Sequence, residues 1–158
     1  MLIDLVLYCV IQKEKKIKYN KYFYGDTNAI SGVEVARALN EDPNKVFKTL
    51  VTIAKSKRNY VFMIPVEKEL DFKKCAQSVN EKSIEMIHQK DLLLLTGYVH
   101  GGCSPIGLKK PFKVVIEKSA KDFNEIIFSG GKIGYQVEVE LKDLEKVIDC
   151  KFDDIVKE

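Results

Sequence analysis

The segment from Thr96 to Pro105 has a composition that suits a ligand-binding loop better than a core element. It reads TGYVHGGCSP, in which three glycines and a proline stand among polar and aromatic residues. Glycine lets a ligand approach the backbone closely, and proline favours extended conformations at the preceding Ser104. A surface turn has a similar composition, so this segment alone leaves both interpretations open.

Two further segments carry residues that could contact a ligand. Residues 46–53 read VFKTLVTI, an apolar run that predicts a buried strand but is interrupted by Lys48 and Thr49. Because a lysine there must reach water, a carboxylate or an anionic ligand, Lys48 is either a partly solvated edge residue or a binding cation. Residues 129–134 read SGGKIG and predict a glycine-rich connection between two strands.

Taken together, VFKTL, TGYVHGGCSP and SGGKIG resemble the YbaK family of freestanding Cys-tRNA(Pro) deacylases. The resemblance extends to Lys74 and Ala76, to Glu85-Met86 and to the closing segment 152–156, whereas the first sixteen residues match poorly. The wider superfamily includes the editing domain inserted in some prolyl-tRNA synthetases, so the resemblance supports the fold better than the substrate.

The resemblance implies hydrolysis of cysteine wrongly esterified to tRNA(Pro), with the substrate thiol attacking its own ester. A lyase-like step is implied if a cyclic thioester forms. The catalytic roles then fall on Lys48, which would meet phosphate or ribose oxygens, and on the amides of Gly101 and Gly102, which would polarise the ester. Substrate contacts are implied for Tyr22, Thr49, Tyr98, Ser129, Gly130 and Gln136.

Three positions depart from the family pattern and leave the substrate open. Ser31 stands where many relatives carry phenylalanine, Ile133 where arginine is common, and Gln136 where some have aspartate. An aromatic wall or a phosphate contact would be lost by such changes. The alternatives are a deacylase for another mischarged tRNA, such as Ala-tRNA(Pro), and a non-catalytic module that binds tRNA or a synthetase.

The candidate motifs contain no Ser-His-Asp set and no paired carboxylates, which places the nucleophile outside the protein and agrees with the substrate-thiol attack that the resemblance implies. Four scattered cysteines without a CxxC pair, together with two histidines, argue against a zinc site and a disulfide framework. We therefore expect no metal, no cofactor and a reducing, cytoplasmic setting. Cys103 lies in the glycine loop, where we expect it to serve packing.

The charge distribution is compatible with tRNA as a partner. The net charge is only +3, but lysines cluster near the N-terminus and after the glycine loop. No RNP, zinc-knuckle or helix-turn-helix pattern is present, so DNA is not expected, while prolyl-tRNA synthetase is a candidate partner. The apolar start, residues 1–11, contains Asp4 and fits neither a signal peptide nor a membrane span, and we expect an amphipathic helix there.

Length and periodicity predict one domain over residues 1–158, of mixed α/β (α+β) class. The resemblance implies a mostly antiparallel, barrel-like sheet flanked by helices, and the number of predicted strands and helices agrees with it. The pattern predicts strands at 17–23, 46–54, 60–66, 113–117, 125–129 and 134–140, and helices at 32–39, 71–78 with Asp71 as N-cap, and 142–148.

Overall fold

The computed structural model describes residues 17–110 and 112–158, so the helix expected over residues 1–11 lies outside the described part. Short strands and helices follow one another along the chain. The strands are β1 (Tyr19–Phe23), β2 (Phe47–Ala54), β3 (Asn59–Pro65), β4 (Ile84–Met86), β5 (Lys113–Glu117), β6 (Glu125–Ser129), β7 (Tyr135–Glu140) and β8 (Cys150–Asp153). The α-helices are α1 (Gly32–Ala38), α2 (Phe72–Val79), α3 (Gln89–Thr96) and α4 (Leu141–Val147), with a 3-10 helix at Lys118–Asp122.

The strands form two hydrogen-bonded sheets. One has the order β1-β7-β6 and is antiparallel throughout. The other has the order β4-β2-β3-β5-β8, in which β2 is antiparallel to β3 and β4, while β5 is parallel to β3 and β8. A parallel bridge between Val46 and Ile127 connects the two sheets. The mixed α/β class is confirmed, with the strands shared between two sheets.

The helices begin where the sequence supplies caps. The Ser31 hydroxyl accepts a hydrogen bond from the Glu34 amide, and the Glu34 carboxylate accepts one from the Ser31 amide, which is a capping box. Asp71 accepts hydrogen bonds from the amides of Lys73 and Lys74 and caps α2, as predicted. Each cap satisfies amides that the first helical turn leaves without partners.

The main core cluster takes residues from both sheets. It includes Val61 and Met63 of β3 together with Phe128 of β6 and Val137 of β7, all fully buried. A second cluster, which includes Phe62 and Val115, covers the opposite face of the five-stranded sheet. β3 is buried on both faces, which agrees with its nearly continuous apolar sequence, YVFMIP.

A buried carboxylate lies where the two sheets meet. Glu138 of β7 accepts hydrogen bonds from Tyr22 (2.9 Å) and Asn20 (3.1 Å) of β1, and pairs with Lys45 at 2.5 Å. Burial raises the pKa of Glu138, but the three donors outweigh burial and hold the pKa below its usual value. Because Lys45 precedes the bridging Val46, this ion pair fastens the three-stranded sheet to the start of β2.

Replacing Lys45 with Met should lower the free energy of unfolding by about 3 kcal/mol, because a buried carboxylate would lose its cation. The pKa of Glu138 is lower in the folded protein than in the unfolded chain, where it is about 4.3. The ionised carboxylate therefore stabilises the fold above the unfolded pKa, and this stabilisation is lost as pH falls through the folded pKa. Urea titrations of both proteins from neutral to acidic pH measure this effect. Lys142→Met removes the exposed pair with Glu140 and should cost less than about 0.5 kcal/mol. Equal midpoints for wild type and Lys45→Met would contradict the assigned role.

The structure adds four elements that the sequence did not predict: β4, α3, the 3-10 helix at Lys118–Asp122 and β8. β4 has only three residues, and α3 reads QKDLLLLT, with too little polar–apolar alternation to show a helical face. No helix within residues 17–110 and 112–158 is long and apolar enough to cross a membrane.

Candidate functional site

A cavity of about 410 Å³ opens between the two sheets. The five-stranded sheet contributes Lys48 and Thr49 from β2, and the three-stranded sheet contributes Ser129 from β6 and Gln136 from β7. Gly101 of the glycine loop completes the set of predicted residues that line it. Five of the nine predicted site residues are therefore brought together, from three segments far apart in sequence.

Lys48 brings a half-buried cation to the cavity. Burial lowers the pKa of its ammonium group, and the more distant Glu69 opposes this shift. None of the described residues that line the cavity is an aspartate or glutamate. The charge of Lys48 is therefore not neutralised within the lining, and it suits an anionic ligand group.

Among the described residues, two polar side-chain atoms of the cavity lining are buried without a hydrogen-bond partner. They are the hydroxyl oxygen of Thr49 and the amide oxygen of Gln136, whose side chain is 7% exposed. Buried polar atoms in folded proteins almost always have partners, and an orphan costs free energy. Both atoms are buried from solvent, so a ligand in the cavity would reach them with N–H or O–H donors only if the two side chains turned toward it.

The glycine loop packs against the loop between β6 and β7. A Cβ atom on Gly102 would lie 3.1 Å from the backbone nitrogen of Ile133 and 3.2 Å from the carbonyl carbon of Lys132, so a side chain would push the two loops apart. Gly101 has a φ of +86°, which also favours glycine. The Gly102 amide donates to the Val99 carbonyl at 3.0 Å. The Gly102 amide is therefore already bonded, and packing is its evident role.

Three predicted substrate contacts do not lie in the cavity lining. The Tyr22 hydroxyl donates to Glu138, and the Tyr98 hydroxyl donates to the Ile106 carbonyl within the core. The Gly130 amide donates to the Tyr135 carbonyl and closes the turn. Their polar groups are used for internal contacts, and Tyr24 lines the cavity instead of Tyr22.

Residues 27–147 of the chain match the family model described as the aminoacyl-tRNA editing domain. The chain belongs to this family. The editing domain chain is 41% identical over 128 residues to an Enterococcus faecalis protein named as a candidate Cys-tRNA(Pro)/Cys-tRNA(Cys) deacylase, EbsC. That alignment covers 80% of this chain and 78% of the relative. The YbaK resemblance is confirmed by these matches.

Solved structures share the fold of this editing domain. One is described as a candidate trans-editing enzyme for prolyl-tRNA synthetase, with a TM-score of 0.86, 17% identity, and coverage of 100% of this chain and 99% of that one. Another, the hypothetical protein APE2540, has a TM-score of 0.83 and 18% identity, with coverage of 92% and 96%. At this identity the similarity establishes the fold.

Sequence reasoning missed several lining residues of the editing domain. Ser31 was noted only as a departure, yet it caps α1 and lines the cavity. Its S-x-x-E spacing to Glu34 is a helix-start signal that could have placed it. His100 and Tyr24 also line the cavity. His100 lies in the glycine loop that the sequence already marks as a candidate ligand-binding segment, whereas nothing in the sequence around Tyr24 indicated its place in the lining.

Cys103 is a core residue that also lines the cavity. It is 8% exposed and packs in the main core cluster, and burial raises the pKa of its thiol to about 12. The thiolate, which is the reactive form, is therefore scarce at neutral pH. The expected packing role of Cys103 agrees with this environment.

Proposed function

We propose that this protein deacylates tRNA(Pro) that carries cysteine, which makes it an aminoacyl-tRNA hydrolase that acts in trans. The observation that carries the proposal is the cavity between the sheets, whose described lining contains a cation, two unpartnered buried oxygens and no acidic residue. Membership of the editing domain family and 41% identity to EbsC support this activity.

The five predicted residues that line the cavity have roles that their chemistry allows. Lys48 would contact a phosphate or ribose oxygen of the terminal adenosine, and the amide oxygen of Gln136 would accept a hydrogen bond from the α-ammonium group of cysteine. The Thr49 hydroxyl and Ser129 would complete the polar contacts. We assign polarisation of the ester carbonyl to the Gly101 amide, because the Gly102 amide bonds to Val99.

The nucleophile in this proposal is the sulfur of the esterified cysteine. The thiol loses its proton and attacks the ester carbonyl carbon; the bond from that carbon to the ribose oxygen breaks, and the ribose oxygen takes up a proton. Water then opens the cyclic thioester to give free cysteine. The attack of the thiol on the ester, which precedes the reaction with water, is the lyase-like step. Alignment of the reacting atoms can contribute about 7 to 11 kcal/mol without any enzyme nucleophile.

Replacing Cys103 with Ala should leave more than about half of the deacylation rate, because no enzyme thiol takes part. Single-turnover rates at neutral pH measure the effect, with circular dichroism to verify folding. Cys75→Ala, at a buried thiol that is not in the cavity lining, is the matched control. Complete inactivity of folded Cys103→Ala, with an acyl-enzyme detected by mass spectrometry, would establish covalent catalysis instead.

A panel of charged tRNAs tests the proposed function. Purified protein is incubated with Cys-tRNA(Pro), Ala-tRNA(Pro), Cys-tRNA(Cys) and Pro-tRNA(Pro), and ester loss is compared with the uncatalysed rate. We expect fast loss of the cysteinyl esters and little loss of the others. Preferred hydrolysis of Ala-tRNA(Pro) would replace the assigned substrate, and no hydrolysis of any ester would leave a binding module.

The location and the partners complete the proposal. Charged tRNA is the partner required by the reaction, and the cytoplasm is where it is made. Prolyl-tRNA synthetase is the proposed protein partner, because it produces the mischarged substrate. Adding the synthetase to the deacylation assay should raise the rate at low tRNA concentration if the two proteins associate.

A further inference from the structure

Two aromatic rings form a pair at one end of the three-stranded sheet. Phe23 of β1 and Tyr135 of β7 are directly opposite in the strand register, and their ring centroids lie 5.0 Å apart with an interplanar angle of 51°. Phe23 is 53% exposed, whereas Tyr135 is partly buried against the main core. An exposed phenylalanine anchored by a second ring offers a π-face to solvent.

Two glycine backbones hold the Phe23 ring in place. A Cβ atom on Gly25 would lie 2.5 Å from the ring, and one on Gly134 would lie 3.5 Å from it. A Cβ atom on Gly134 would also lie 3.4 Å from the Cα of Gly25. The backbone segments at Gly25 and Gly134 are therefore close together, and the Phe23 ring lies against both. The ring is therefore positioned before any ligand arrives, which lowers the entropy lost on binding.

The aromatic pair is continuous with the cavity. Successive residues of a strand point to opposite faces, so Tyr135 lies on the face of β7 opposite to the cavity residue Gln136. The connection to the cavity runs through the loop before β7: a Cβ atom on the lining residue Gly101 would lie 3.5 Å from the Ile133 side chain, and one on Gly134 would lie 3.5 Å from the Phe23 ring. The loop that precedes Tyr135 begins at Ser129, which also lines the cavity. A ligand too long for the cavity would leave it beside these residues.

The surroundings of the pair match unpaired nucleotides. Lys132, exposed in the same loop, supplies a cation for the phosphate backbone, and Ile133 beside it is 57% exposed. Base–aromatic stacking next to basic side chains is how proteins hold single-stranded nucleic acid without reading its sequence. An adenosine bound in the cavity must be preceded by such nucleotides in any charged tRNA.

We propose that Phe23 and Tyr135 form a stacking platform for the unpaired nucleotides that precede the terminal adenosine of the charged tRNA, an inference that rests on the proposed function. The platform provides affinity for the tRNA end, whereas the cavity provides the chemistry. It makes no distinction between acceptor sequences, because every base has a π-face.

The test compares two cysteinyl esters, full-length Cys-tRNA(Pro) and cysteinyl-adenosine, which lacks the preceding nucleotides. Phe23→Leu should raise KM for the tRNA about tenfold, with kcat nearly unchanged, because a lost stacking contact weakens binding. The KM for cysteinyl-adenosine should change less than about twofold, since nothing in it reaches the platform. Phe23→Trp keeps an aromatic ring at this position and should have a KM for the tRNA close to that of wild type. Phe72→Leu changes an exposed aromatic residue on α2, away from the cavity lining, and should match wild type.

A binding measurement separates this inference from the proposed function. A short RNA with 2-aminopurine next to its 3′-terminal adenosine should change fluorescence on wild-type protein and Phe72→Leu, but not on Phe23→Leu. This holds even if no ester is hydrolysed, in which case only the proposed function fails. Equal binding by folded Phe23→Leu, or an equal rise in KM for both esters, would overturn the platform.

Discussion

Replacing Lys48 with Met should reduce deacylation about 100-fold or more and leave the protein at least as stable as wild type. Lys48 is the only lysine among the described residues that line the cavity, so the stabilisation of an anionic substrate group by its ammonium group would be lost. Methionine keeps the apolar stem and removes the cost of burying the charge, which is what lowers the pKa of Lys48. Single-turnover rates and thermal melting of the same preparations give both quantities.

The pH dependence of that stability has a defined sign. A lysine whose pKa is lowered by folding destabilises the fold while it is charged. Lys48→Met should therefore have a higher free energy of unfolding than wild type at pH values below the native pKa of Lys48. The difference should vanish above the unfolded value of about 10.4. Lys55→Met makes the same change in the exposed turn after β2 and should keep full activity. Near-normal rates for Lys48→Met would remove this residue from the site, and a large loss of stability would make its role structural.

Exchanging the sulfur of the esterified cysteine for oxygen should slow hydrolysis by orders of magnitude. Ser-tRNA(Pro) has nearly the same size, and a pocket distinguishes such small changes weakly in binding. A free thiol ionises near pH 8.5, so part of it is thiolate at neutral pH, whereas an alcohol stays protonated and needs a base. The described lining contains no carboxylate to act as that base, and His100 supplies its one imidazole. Single-turnover rates on both esters measure the difference.

The pH profile provides the control for this comparison. The rate for Cys-tRNA(Pro) should rise with pH until the substrate thiol is ionised, and Ser-tRNA(Pro) should compete for binding with a similar inhibition constant. Similar rates for both esters would mean that water activated by the protein is the nucleophile. Substrate-assisted catalysis would then have to be abandoned for this chain.

Strong local patterns predicted the fold well. Residues Val46–Ala54 and Tyr60–Val66 are mainly apolar and are separated by a short polar turn, which predicts two neighbouring antiparallel strands. β2 and β3 pair in this way. β4 and α3 were not predicted, because three residues of strand and a helix of consecutive leucines show no usable period. The division into two sheets depends on long-range contacts, which local periodicity does not contain.

The site was only partly accessible from sequence, for a related reason. The motif resemblance indicated Lys48, Thr49, Ser129 and Gln136, and the fold brings them to one cavity. A motif does not state which way a hydroxyl points, however, and Tyr22 shows why this matters. Its hydroxyl meets Glu138, a buried carboxylate whose position opposite β1 is known only once the strands are paired.

The two walls of the cavity belong to different sheets, and this ties proofreading to complete maturation of the polypeptide. A chain with only its five-stranded sheet formed would present Lys48 and Thr49 without Ser129 and Gln136. A chain with only its three-stranded sheet formed would present Ser129 and Gln136 alone. Neither half can align an ester, since positioning requires both walls at once. Under the proposed function, a molecule in which only one of the two sheets had formed would therefore have no complete site for charged tRNA.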